Sequence, residues 1–166
     1  MGNTFNPCEI LEIAIDIEEH GRKLYESLQE KAKDEKVKET WAYLKNQEAD
    51  HVKLFKDMLD ERRKCMVQEF VPGEYSSYLE AIASEYVFTQ KLVEQKSKES
   101  FASDIKAIEF GIQMEKESIL VYSAFREVLT EPEQAALDKV IIQEREHLIK
   151  FTELKSYLKK GDSDGS

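Results

Sequence analysis

The sequence predicts an all-α protein: four long helices paired in two antiparallel hairpins, joined by a long crossover that carries a short helix of its own. Three observations lead there. Only 6 glycines and 3 prolines occur in 166 residues, so turns are few and elements long. Charged residues make up 35% and hydrophobic ones 41%, a mixture that suits amphipathic helices with solvated outer faces. Apolar residues also recur at three- and four-residue intervals along four extended stretches.

Asn6, Pro7 and Glu9 make a helix start: a capping side chain, a proline at the first helical position, and a glutamate three residues after the cap. Ile10, Leu11, Ala14, Ile17, Gly21, Leu24, Tyr25 and Leu28 carry its stripe, which ends at about Ala32. Asp34 caps a second helix, striped by Val37, Trp41, Leu44, His51, Phe55 and Met58 and fading near Cys65. Val67 to Glu74 follows, with Pro72–Gly73 as a turn. Ser77 and Glu80 form a capping box that opens the crossover helix through Tyr78, Leu79, Ile82, Tyr86 and Leu92. Glu94 to Ser103 is polar and expected to be a loop. A third long helix follows Ser103 on Ala107, Ile108, Gly111, Met114, Ser118, Tyr122 and Phe125. Thr130, Pro132 and Glu133 start the fourth, which is expected to end before Gly161. Residues 1–160 then form one domain and 161–166 a flexible tail. Short loops make each hairpin antiparallel, and the crossover lets the two pack into one bundle.

Charge and composition exclude several functions. Lys and Arg total 24 against 34 Asp and Glu, a net charge of −10. Nucleic acid is not an expected partner, because counterion release needs clustered cations. An anionic membrane surface is disfavoured for the same reason. No apolar run approaches the ~20 residues of a spanning helix, and the N-terminus shows no signal-peptide core. A soluble, cytoplasmic protein is expected. Cys8 and Cys65 are too few and too far apart for a disulfide framework or a zinc ribbon, and inert thiols are expected.

The two hairpins resemble each other in sequence. A shift of 97 positions lays Ile15 on Ile112, Glu18 on Glu115, Gly21 on Ser118 and Tyr25 on Tyr122. A shift of 96 lays Leu44 on Val140, Gln47 on Gln143, Glu48 on Glu144, His51 on His147 and Phe55 on Phe151. Each half therefore holds a lone glutamate followed, 30 or 29 residues later, by a Glu-x-x-His pair.

Helical position sets these glutamates apart. At about 100° per residue, Glu18 falls among Leu11, Ala14 and Tyr25, inside the apolar arc, whereas Glu9, Glu12, Asp16 and Glu19 fall on other faces. Glu115 is bracketed by Ile108, Gly111 and Tyr122, Glu48 by Trp41 and Phe55, and Glu144 by Leu137 and Phe151. Taken singly, each glutamate could be a buried ion pair or an exposed residue. Together they place four carboxylates where a core belongs, at several kcal/mol each if unpaired. No Lys or Arg is placed to pair with all four, although Arg22 lies at the edge of its stripe. Two divalent metals would balance the four negative charges, and residues at i and i+3 face one ion or bridge two. A glutamate from each of two helices plus Glu-x-x-His from the other two is the recurrent di-iron or di-manganese arrangement of four-helix bundles. His20 lies about 200° from Glu18, on the polar face, and is read as a surface residue. Tyr25 and Tyr122 are core aromatics by default, and their place seven residues after Glu18 and Glu115 suits a hydrogen bond to a ligand carboxylate. Gly21 and Ser118 ease helix packing or leave room for a small oxidant. Trp41, Phe55 and Phe151 are read as packing.

The segments AIDIEEHGRKLY, NQEADHVKLF, GIQMEKESILVY and IQEREHLIKF resemble the ferritin-like di-iron carboxylate superfamily, and within it the rubrerythrin-like proteins, from Pro7 to Leu158. The resemblance implies a ferritin-like bundle with Glu18, Glu48, His51, Glu115, Glu144 and His147 as metal ligands. Glu48 and Glu144 would bridge two Fe ions (with Mn or mixed Fe/Mn as alternatives), and each histidine would cap one. It further implies reduction of hydrogen peroxide or dioxygen, an electron-donor protein such as a rubredoxin, and a homodimer. Two departures stand out. The chain has no Cys-x-x-Cys pairs, so the rubredoxin-like module is missing and the donor must be external. Ser118 occupies the position at which peroxidase rubrerythrins carry an extra glutamate. The alternative function is that of a ferroxidase or iron-binding ferritin-like protein. Against a bacterioferritin stand the crossover helix and Ala49, found where those proteins carry a haem-binding methionine. A quinone hydroxylase of the same superfamily and a metal-free helical scaffold are the remaining readings.

Overall fold

The computed structural model describes residues 7–65, 77–79, 81–82, 90–98 and 101–163, and among them it contains helices and no strand. The long helices are α1 (Pro7–Lys31) and α2 (Glu35–Cys65), which form the first hairpin, and α4 (Asp104–Arg126) and α5 (Glu133–Ser163), which form the second. Between the hairpins, α3 (Gln90–Lys98) docks against α1. The expected all-α arrangement of two long-helix hairpins is therefore present among the described residues.

The helix boundaries follow from local chemistry. The Asp34 carboxylate accepts the Val37 amide at 3.1 Å and starts α2. Ser103 caps α4 through the Lys106 amide at 3.3 Å, with its own backbone extended. Asp104, the first residue of α4, reaches back to accept the amides of Lys33 (3.1 Å) and Asp34 (2.9 Å). One carboxylate thus ties the turn of the first hairpin to the start of the second. At the other end, Arg62 of α2 donates to Glu133, the first residue of α5, in a mostly buried ion pair. Arg126 and Asp138 clamp α4 to α5 across their short connection.

Two expectations need correction. The stretch from Glu94 is not a loop to Ser103, because α3 continues to Lys98. From Glu94 on its sequence is polar, yet a nine-residue helix can dock through few apolar residues, and Val93 is buried against the core. The last helix does not stop before Gly161 but runs to Ser163. Glycine costs a helix about 1 kcal/mol relative to alanine, but no described glycine adopts the positive φ that would turn the chain away. The crossover helix is present at 77–79 and 81–82, with Leu79 buried and Tyr78 exposed. The predicted features at Asn6, Val67–Glu74, Glu80 and Tyr86, the Cys65 side chain, and the last part of the tail lie outside the described residues.

The four stripes bury one core, whose bulkiest members are Trp41, Tyr25, Tyr122, Phe55, Phe125 and Phe151. Trp41, Tyr25 and Phe151 form one aromatic knot, with ring centroids 5.0–6.2 Å apart. Phe55, Tyr122 and Phe125 form a second. Gly111 of α4 lets the first knot close: a Cβ there would stand 2.9 Å from the Phe151 ring and 3.0 Å from that of Trp41. Both rings are buried and cannot swing aside. Gly111→Ala should therefore lose more to overpacking, about 1–3 kcal/mol, than the ~1 kcal/mol gained in helix propensity. Urea denaturation would show a lowered midpoint at unchanged m-value; an equal or raised midpoint would refute the packing argument.

Candidate metal centre

Midway along the bundle each long helix turns carboxylates inward. Glu18 comes from α1, Glu48 and His51 from α2, Glu115 from α4, and Glu144 and His147 from α5. All six are at most 5% exposed. The spacing that put them on the apolar stripes thus brings them to one place. Their candidate ligand atoms fall into two groups, each drawn together within 4.8 Å: Glu18, Glu48, His51 and Glu144, and Glu48, Glu115, Glu144 and His147. Glu48 and Glu144 belong to both.

In His51 the Nδ1 atom faces the carboxylates, 3.0 Å from Glu144 Oε1, 3.3 Å from Glu18 Oε2 and 3.9 Å from Glu48 Oε2. His147 repeats the pose, with Nδ1 3.3 Å from Glu144 Oε2, 3.7 Å from Glu115 and 3.9 Å from Glu48. The two imidazoles stack 6.0 Å apart. The tyrosines cross over. Tyr25 donates to Glu115 at 2.6 Å, and Tyr122 donates to Glu18, so each hydroxyl holds the carboxylate contributed by the opposite hairpin. His20 is half-buried and belongs to neither group. Arg22 turns to Glu19 at 3.1 Å instead of the cluster.

Among the described residues, no Lys or Arg pairs with any of the four carboxylates. Their close ionic neighbours are the two histidines. Protons respond accordingly. Burial pushes Glu48 and Glu115 well above the usual carboxylate range, and the charge of Glu18 adds to the first and that of Glu144 to the second. For Glu144 burial pushes the same way, but donors on Glu115, His147 and His51 outweigh it and hold the group below that range. Burial works against the cationic form of His51, yet the Glu18 charge and the bond to Glu144 lift it from 6.5 to about 11. His147 is lifted to about 9 against burial, through Glu115 and Glu144. Burial and then the Glu115 charge keep the Tyr25 hydroxyl protonated.

The donor set fits divalent metal ions. Hard carboxylate oxygens and two imidazole nitrogens converge in two overlapping groups, and the missing positive charge is what cations would bring. The class of protein is thereby defined as a carboxylate-rich, ferritin-like helical bundle. The rubrerythrin family model matches residues 9–155, and the chain belongs to that family. A solved chain from Thermotoga maritima, provisionally described as a ferritin-like diiron-carboxylate protein, is similar in fold with a TM-score of 0.70. It is 27% identical, and the match covers 94% of this chain and 98% of that one. No curated protein matches. None of the described helices is long and apolar enough to cross a membrane.

The polar residues behind the histidines are what the sequence reading passed over. Gln143 Oε1 lies 3.1 Å from His51 Nε2, and the Gln143 amide donates to Gln47 at 3.3 Å. Their signal was in the repeat itself, where Gln47 and Gln143 coincide.

A pH dependence follows. Groups with raised pKa bind protons more tightly folded than unfolded, so they stabilise the metal-free fold at low pH. The histidine contributions are complete below 6.5 and are lost as pH climbs through about 9 and then about 11. Glu48 and Glu115 act in the same direction from 4.5 upward, and the depressed Glu144 matters only below 4.5. The Tm of metal-free protein should fall from pH 6.5 to about 9, and metal-loaded protein should lose less. Calorimetry showing a metal-free Tm that rises over this range would contradict the assignment.

Proposed function

We propose that the protein is a di-iron oxidoreductase that reduces hydrogen peroxide or dioxygen with electrons from a separate donor protein. The observation that carries this reading is that two ligand groups share Glu48 and Glu144, so two ions would sit side by side in a buried site. Glu18 and His51 would complete one position, and Glu115 and His147 the other. When bound, two ferrous ions would supply the two electrons that reduce peroxide, one from each ion. Manganese satisfies the same donor set, and iron is preferred here because the proposed reaction is redox chemistry.

The chain's own groups support such chemistry. Glu48 and Glu144 belong to both ligand groups and would hold the pair together. Tyr25 and Tyr122 fix the outer carboxylates, since each phenol donates to the glutamate of the other hairpin. The two aromatic knots pack against Tyr25 and Tyr122, and the six cluster residues are at most 5% exposed, so the site is largely shielded from bulk water. Ser118 is buried one turn after Glu115 and has no carboxylate to exchange, so the proposed chemistry uses the six ligands alone. With no Cys-x-x-Cys pair in the sequence, reducing equivalents come from outside the chain.

Stopped-flow mixing of ferrous-loaded protein with peroxide or oxygen tests the reading. Rapid oxidation should occur, followed by re-reduction on adding an artificial reductant and repeated turnover. Glu144→Ala should abolish the fast phase, because it removes a carboxylate common to both positions, whereas Glu39→Ala on the exposed face of α2 should not. Oxidation that proceeds once and leaves mineralised iron would favour a ferroxidase instead.

A further inference from the structure

The internal repeat makes His51 and His147 equivalent in sequence, but the structure does not treat them alike. His51 Nε2 meets Gln143 Oε1 at 3.1 Å, and Gln143 Nε2 in turn donates to Gln47 Oε1 at 3.3 Å. His147 Nε2 is buried without a hydrogen-bond partner, although Gln47 stands at the position equivalent to Gln143. Beside the His147 ring lies Tyr43, edge to face at 6.3 Å, and the Lys150 ammonium stands 4.7 Å from the centre of the Tyr43 ring.

We infer that Gln143, backed by Gln47, is a positioning residue that makes the His51 metal position the tighter of the two. The inference rests on the metal-centre reading above. When Nδ1 is the nitrogen offered to a cation, Nε2 carries the hydrogen and needs an acceptor behind it. Gln143 presents its carbonyl there, which fixes both the ring plane and the nitrogen offered to a cation. The Gln143 carbonyl is held in that direction because its NH₂ group is engaged by Gln47. A chain of two amides has one direction only. Gln47 has its carbonyl turned to Gln143, so it cannot at the same time give that oxygen fully to His147. A symmetric sequence thereby yields two unequal positions, one whose histidine is backed by an amide carbonyl at Nε2 and one whose histidine is not.

The test is a calorimetric titration of metal-free full-length protein with Mn²⁺. Wild type should show two steps, the first the tighter. Gln143→Leu should weaken the first step about tenfold or more and leave the second unchanged. Gln143→Glu keeps an acceptor behind His51 and should restore the first step. Gln47→Leu should give a smaller loss of the same step. Gln143 is half-buried between α2 and α5, and thermal melts of each variant report whether the fold is intact. Equal steps in wild type, equal weakening of both steps, or identical losses in Gln143→Leu and Gln143→Glu would overturn the inference while leaving the metal centre standing. No uptake of Mn²⁺ or Fe²⁺ by wild type would overturn the metal centre itself, and the inference with it.

Discussion

Four carboxylates buried at the centre of one helical bundle, with no lysine or arginine pairing with them among the described residues, are the constraint that organises this protein. Charges about 5 Å apart repel by roughly 3 kcal/mol at an effective dielectric of ~20. A few such pairs equal the entire stability of an ordinary domain. The fold therefore requires compensating positive charge. Without metal, protons fill the role: Glu48 and Glu115 retain theirs, and His51 and His147 become cationic. These supply the same positive charge as two divalent ions, so metal loading amounts to exchanging protons for cations.

The rest of the core is arranged around that centre. The tyrosines strap opposite hairpins together through the outer glutamates, so the site and the bundle share one set of hydrogen bonds. Trp41 and Phe151 close over Tyr25 on one side, and Phe55 and Phe125 over Tyr122 on the other. Gly111 permits the first closure by carrying no side chain. At the bundle ends, Asp104 and the Arg62–Glu133 pair hold the hairpins in the register that brings the six residues level. Polar tethers outside and aromatic packing inside together fix a geometry that mutual repulsion would otherwise disperse.

The architecture and the six inward residues were legible in the sequence because both depend on helical period. A glutamate inside an apolar arc can be read from spacing alone, and its recurrence about 97 residues later makes chance a poor explanation. What spacing does not encode is which partner a side chain finds across the bundle. The crossing of Tyr25 to Glu115 and of Tyr122 to Glu18 depends on how the hairpins dock. The difference between Gln143 and Gln47 is likewise hidden, since repeated letters suggest symmetry and the amide chain breaks it. The continuation of the helix Gln90–Lys98 past Leu92 escaped for a simpler reason: from Glu94 on its residues are polar, and Val93, which docks it, lies before that stretch.

Anomalous diffraction at the iron edge, from crystals loaded anaerobically with ferrous salt, addresses the central claim most directly. Two peaks should appear within the bundle. One should lie among Glu18, Glu48, His51 and Glu144, and the other among Glu48, Glu115, Glu144 and His147. Electron density lacking both peaks, with the six side chains still buried and close, would show that protons alone balance the acids and would contradict the account.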